Sequence, residues 1–205
     1  LLCVSCFQLI RIIEYPIATG LVRLLAAEND EKTKSSYIVA GYLVSSVFGL
    51  SLMCFALCML YFGGSKLLIE SFSWNQLHVL VSLLSISSIF YTATIVPSSL
   101  LVASGRTDLS QFALIIARIT GTVITVLLLI MTKDVCAAAL GELLFAALSW
   151  FFSEVFTVKH SLRAYEKMQY RFEAVLELFH SAAPVAMETI STIFVLPVNK
   201  WLVGS

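Results

Sequence analysis

Leu77 to Val102 reads LHVLVSLLSISSIFYTATIVPSSLLV, an apolar run that contains no Lys, Arg, Asp or Glu. A bilayer core about 30 Å thick is crossed by roughly 20 apolar residues in a helix, so this run is long enough to span one. Its hydroxyls keep helical spacing: Ser85, Ser88, Thr92 and Ser99 recur at intervals of three, four and seven, which places them on one face. Working outward, Tyr37–Phe62 has the same character. Gln111–Met131, Cys136–Val158, Leu1–Leu25 and Leu178–Val203 complete a set of six segments. The first is interrupted by Arg11, Glu14 and Pro16, and the sixth by Pro184, Glu188 and Pro197. The fold expected is all-α, a polytopic transmembrane helix bundle of about six spans.

Composition agrees. Hydrophobic residues make up 59% of the chain and charged residues 13%, against about 25% charged in a soluble domain, and the mean hydropathy is +0.93. These values exclude a disordered chain, a disulfide-rich secreted scaffold and an ordinary cytosolic enzyme. The 13 basic and 13 acidic residues cancel, so there is no bulk electrostatic case for a nucleic-acid partner. The chain begins at Leu1 inside one apolar run and ends at Ser205 after another; a fragment of a longer membrane protein is expected. Leu1–Ile10 lacks the basic approach and small-residue cleavage site of a signal peptide.

The links are short, which makes consecutive helices antiparallel neighbours. Glu28–Lys34, Ser104–Asp108 and Thr132–Asp134 read as turns, with Asp108 expected to cap the fourth helix. Lys159–Arg171 is the longest polar stretch, and Gly63–Gln76 is the longest link on the other side. Arg23, Lys32, Lys34, Arg106, Lys159, Arg163, Lys167 and Arg171 fall on one side, and Lys66 and Lys133 on the other. The positive-inside bias puts the first side in the cytoplasm.

Three basic residues remain within the spans: Arg11, Arg118 and Lys200. A charge at mid-membrane costs roughly 2.5–3.5 kcal/mol, so it normally faces a partner or a wet cavity. Gln111, Arg118, Thr122 and Thr125 share a face in the fourth span, Glu142, Ser149 and Ser153 in the fifth, and Ser181, Glu188, Thr192 and Asn199 in the sixth. The second span has only Ser45 and Gly49 on such a face and reads as the most lipid-like. Hydroxyl stripes alone are explained by helix packing; the charges on the same faces call for a water-filled path or a cavity. Arg118 has a second explanation in snorkelling to the cytoplasmic interface, Glu142 in solvation near the opposite one, and Arg11 with Glu14 in a pair along one helix. Glu154 reads as interfacial. Glu188, the deepest acid of the sixth span, is the first candidate for a cavity or ion-coupling residue.

Cys3 and Cys6 form a CxxC without a second pair or a nearby His, and His78, His160 and His180 do not cluster. No phosphate-binding or nucleophile motif is present. No enzyme activity, metal or cofactor is expected.

Several stretches together resemble a known family. Glu14–Glu28 (EYPIATGLVRLLAAE) is similar to the second-helix region of bacterial polysaccharide flippases, and Asn29–Lys34 to their acidic-basic cytoplasmic loop. Pro97–Arg106 (PSSLLVASGR) resembles the end of their fourth helix. His180–Pro184 with Asn199–Gly204 looks like the start of their second lobe. The family is the multidrug/oligosaccharidyl-lipid/polysaccharide (MOP) exporter superfamily, in its O-antigen and capsule repeat-unit branch. Glu14 departs from the usually uncharged stretch before the Gly. The resemblance implies one lobe of a two-lobe transporter. Residues 1–177 would be five helices of the first lobe, and 178–205 the truncated first helix of the second.

It also implies a function. The chain would flip a polyprenyl-diphosphate-linked oligosaccharide across the bacterial inner membrane by alternating access. Arg11, Arg118 and Lys200 would face the diphosphate, and Glu188, Glu142 and Glu14 would line the cavity or bind a coupling proton or Na+. Polysaccharide assembly proteins would be partners. The alternatives are a drug/cation antiporter of the same superfamily and a non-transporting membrane assembly subunit. A membrane glycosyltransferase or polymerase fits less well, because it would need larger outer loops.

Overall fold

A computed structural model describes residues 2–67, 74–134, 136–165 and 169–203, with side chains described for 14–58, 61, 75–134, 136–160, 169–189 and 191. The described residues form an all-α helical bundle of six helices: α1 (Leu2–Ala27), α2 (Glu31–Leu67), α3 (Trp74–Ala103), α4 (Thr107–Thr132), α5 (Cys136–Tyr165) and α6 (Phe172–Val203). Four segments are long and apolar enough to cross a membrane: Glu31–Cys58, Asn75–Ala103, Thr107–Thr132 and Cys136–His160. The chain is a membrane protein. Helices are the form such spans must take, because hydrocarbon offers no partner for an open backbone N–H or C=O.

The turns are tighter than the polar stretches that announce them. Glu28 Oε1 accepts from the N–H groups of Asn29 and Asp30 at 2.8 and 2.9 Å. Asp30 Oδ2 then accepts from the Thr33 N–H at 3.1 Å and its hydroxyl at 2.9 Å. This cap starts α2 at Glu31, six residues before the apolar run. Ser35 and Ser36 are thereby drawn into the helix, where they are buried and bond back to the Lys32 carbonyl. After α3, Gly105 takes the left-handed conformation (φ 77°), which lets the Arg106 N–H reach the Leu101 carbonyl at 2.8 Å. The α4 cap position falls on Arg106, without a side-chain cap bond. Asp108 is thus inside the first turn and not at the cap, where it acts on the helix dipole instead.

The chain separates into two compact units, Leu1–Gly41 with Arg163–Ser205, and Tyr42–Leu162. In the first, α1 packs on α6. Ile17, Leu21 and Leu25 are buried on one side, and Ala174, Val175, Leu178, Ala182 and Val185 on the other. Gly20 sets the approach: a Cβ there would lie 3.0 Å from the Ala182 backbone nitrogen. The residue 177/178 boundary falls within α6, which runs unbroken from Phe172.

In the second unit, α3 carries most of the buried polar face. Ser85, Ser88, Thr92 and Ser99 are all buried. Ser85 donates to the Val81 carbonyl, Ser88 to that of Ser85 and Thr92 to those of Ser88 and Ile89. These hydroxyls therefore serve packing. Gly49 of α2 sits against Thr92, where a Cβ would lie only 2.5 Å from the Thr92 Oγ1. The Ser45–Gly49 face is thus an α2–α3 seam. Among the four apolar spans, the one least enclosed by the rest of the chain is α4 and not α2. On α4 only Ser110, Ala113, Ala117 and Gly121 are buried.

Two measurements test this fold. Thr33 lowers the Asp30 pKa below the usual 3.8, through its side-chain and backbone hydrogen bonds. A depressed carboxylate stabilises the fold above its unfolded pKa and loses that contribution as pH falls through the folded one. The stability gap between wild type and Asp30→Ala is expected to be full at neutral pH and to close below about pH 4, read by thermal unfolding in detergent. Separately, a Cβ at Gly141 would lie 2.7 Å from the Thr125 Cβ, and Thr125 is held by its hydroxyl bond to the Gly121 carbonyl at 2.7 Å. Gly141→Ala is expected to cost about 1–3 kcal/mol by the same melt, as overpacked sites do.

Candidate functional site

Arg118 stands 11 residues into α4, on the flank next to its buried seam. Across the α4–α5 interface, a Cβ on Gly121 would lie 3.0 Å from that of Phe145, and Thr125 abuts Gly141. Phe145 and Glu142 therefore stand beside α4 residues 121–125, on the C-terminal side of Arg118. The guanidinium reaches that way: Nη1 is 3.6 Å from Glu142 Oε1, and Cζ lies 4.7 Å from the Phe145 ring centroid. At 1.5 Å per residue this is about 10–16 Å inside the Thr132 end of α4. The direction is opposite to snorkelling toward the Thr107 end, and the cause is the carboxylate and ring on α5.

A third helix closes the group. Tyr91 of α3 donates its hydroxyl to Glu142 Oε2 at 2.6 Å, and its ring meets Phe145 edge-on at 5.8 Å. Arginine and tyrosine thus hold different oxygens of one carboxylate, and both pack on one buried phenylalanine. The group remains open to its surroundings, with 58% of the Arg118 side chain and 44% of the Glu142 side chain accessible. At 3.6 Å the ion pair is longer than the 2.7–2.9 Å of a charge-assisted hydrogen bond, so Arg118 keeps donor capacity for another anion.

Sequence spacing had placed Arg118 and Glu142 on separate faces of separate helices; the fold brings them together. It adds Tyr91 and Phe145, which the stripe of hydroxyls had overshadowed. Two further tyrosines make the same kind of bond: Tyr42 donates to Glu154 Oε2 at 3.0 Å, and Tyr37 donates to Glu177 Oε2. Glu154 is therefore tied to α2 and half-buried. A signal existed, since a tyrosine inside an apolar span brings a hydroxyl that needs an acceptor. Its target carboxylate was not visible.

The other described candidates belong to the first unit. Glu14 is half-buried on α1 and Glu188 is exposed on α6, both in the first unit. The side chains of Arg11 and Lys200, like those of Thr192 and Asn199, lie outside the described residues. Among the described residues, no group of three or more His, Cys, Asp or Glu side chains is placed to hold a metal ion. No family model, curated protein or solved structure matches the chain.

The tyrosine–carboxylate bond is testable by a double-mutant cycle. A hydrogen bond to a charged group is worth about 1.5–3 kcal/mol. Tyr91→Phe is expected to lose an amount of that order in thermal unfolding, and to lose little further in a Glu142→Leu background. Additive losses would uncouple the two residues.

Proposed function

We propose that this chain is part of a transporter that moves a polyprenyl-diphosphate-linked oligosaccharide across the bacterial inner membrane by alternating access. The observation that carries the reading is Arg118, a guanidinium well inside an apolar span, loosely paired and open on one side. An open charge at that depth is costly against lipid tails. It calls for water, further protein or an anionic ligand on its open side. Among anions, a diphosphate matches the planar, permanently charged fork of arginine. The lipid-linked oligosaccharide cargo is what the sequence resemblance to polysaccharide flippases implies, together with the assignment of this chain to one lobe and the start of the next. Arg11 and Lys200 join Arg118 as cationic candidates, and Glu188 and Glu14 serve as candidates for ion coupling by proton or Na+. No bond chemistry is assigned.

A drug/cation antiporter would use acidic and aromatic groups, and Phe145 with Glu142 has that chemistry. Arg118 already covers the Phe145 ring, which denies that face to an incoming organic cation. A non-transporting assembly subunit is favoured by one observation, the α3 hydroxyls bonded back to their own helix. That explains α3 but gives Arg118 no task.

The test is transbilayer movement of a fluorescent prenyl-diphosphate-linked disaccharide in proteoliposomes of the full-length protein. Arg118→Ala is expected to slow it at least ~10-fold, the loss of about 1.4 kcal/mol of stabilisation, with Arg118→Lys intermediate. Equal rates in wild type and Arg118→Ala would remove Arg118 from the path. No movement by wild type would favour the assembly subunit.

A further inference from the structure

Arg118 meets a carboxylate and an aromatic ring, yet the carboxylate does not hold it in the strongest way open to the pair. We infer that Tyr91 is a positioning residue: by occupying one oxygen of Glu142 it denies Arg118 a bidentate pair, and so keeps the guanidinium available to a phosphate-bearing ligand. This deepens the transport reading above, and the ligand rests on that reading.

Arginine and a carboxylate left to themselves often pair through two parallel N–H···O bonds, the fork of one matching the two oxygens of the other. The contact between Arg118 and Glu142 is instead long, Nη1 to Oε1 at 3.6 Å. Oε2 is taken by the Tyr91 hydroxyl at 2.6 Å, within the range of about 2.5–2.7 Å of a charge-assisted O–H···O bond. The shorter bond ties the carboxylate to α3 and leaves the guanidinium one oxygen. The Tyr91 ring also backs the other surface that Arg118 meets. It packs edge-on against Phe145 at 5.8 Å between centroids, and the Arg118 Cζ lies 4.7 Å from the Phe145 centroid. A ring face attracts a cation through its quadrupole and takes up no N–H donor in the plane of the fork. Carboxylate and ring together keep Arg118 turned toward α5 without consuming that fork. With 58% of the Arg118 side chain accessible, the remaining donors are open to the oxygens of a phosphate, which the planar fork fits. Tyr91, Arg118, Glu142 and Phe145 all lie in the unit Tyr42–Leu162.

Removal of the hydroxyl alone has an effect of definite sign. Tyr91→Phe keeps an aromatic ring against Phe145 and frees Oε2, so the guanidinium can close on both oxygens. Arg118 is then held more tightly although the fold has lost a hydrogen bond. A tyrosine that served packing only would act the other way, since its loss would loosen the site and leave Arg118 freer. The two roles move one observable, the availability of the guanidinium, in opposite directions.

The experiment is modification of the full-length protein in detergent by phenylglyoxal, an arginine-selective reagent. The rate at Arg118 is read by peptide mass spectrometry against that at the exposed Arg106. Tyr91→Phe is expected to slow Arg118 roughly three- to tenfold, the effect of about one added charge-assisted hydrogen bond, and to leave Arg106 unchanged. Glu142→Gln, nearly isosteric and uncharged, is expected to speed Arg118, and adding Tyr91→Phe to that background should change nothing further. Unchanged or faster modification in Tyr91→Phe overturns the positioning role, as does a slowing that persists with Glu142→Gln. An Arg118 inert in wild type overturns it as well, and that readout needs no variant to fold. The ligand is tested separately: farnesyl diphosphate is expected to protect Arg118 of wild type from modification, and to protect it less in Tyr91→Phe. No protection of wild type, or equal protection by inorganic pyrophosphate, overturns the lipid-linked cargo and leaves the effect of Tyr91 on Arg118 standing.

Discussion

In a chain this apolar, a polar group inside a span has few partners to choose from, and most of those are within the protein. Backbone groups solve this by helix formation. Most serine and threonine hydroxyls solve it by turning back on the carbonyl three or four residues earlier, as along α3, while those of Ser149 and Ser153 on α5 are buried without a hydrogen bond. Tyrosine cannot reach back that way, and carboxylates have no donor in the helix interior. They must cross to a neighbouring helix. Two tyrosine–carboxylate bonds, between α2 and α5 and between α3 and α5, follow from that one constraint.

Such bonds need helices close enough to meet, and here glycine supplies the clearance. Gly121 and Gly141 sit one on each side of the α4–α5 seam, bracketing the position where Arg118 meets Glu142. Small residues at the interface let two backbones approach until van der Waals contact holds them, since lipid tails give no hydrophobic drive to bring helices together. The same closeness puts Phe145 under the guanidinium. Packing and charge placement are therefore one problem in this bundle: widening the seam would also pull the ion pair apart.

The apolar runs made the helices legible, because length and hydropathy alone decide whether a segment is long enough to span. The Glu28–Lys34 turn was legible in kind. Its position was not, since the Asp30 carboxylate accepts two bonds from Thr33 and starts α2 before the apolar residues begin. The α4 cap was misplaced for a related reason: the left-handed Gly105 ends α3 so tightly that α4 starts before Asp108. Arg118 and Glu142 were each visible as costly charges. Their meeting was not, because it depends on the register between α4 and α5, set by which glycine faces which side chain. Periodicity reports the face of one helix and contains nothing about the neighbour's register.

That register also separates two environments on one helix. Ile115, Ile119, Val123, Val126 and Ile130 stand exposed along one side of α4, a surface that lipid tails can cover without cost. Gln111, Arg118 and Thr122 stand exposed along the flank beside the seam, where lipid tails would be a poor solvent. A helix that served only to anchor the chain would gain nothing from the second surface. One that borders both lipid and a polar space needs both. The Arg118–Glu142 pair lies on that flank, with the Phe145 ring beneath the guanidinium.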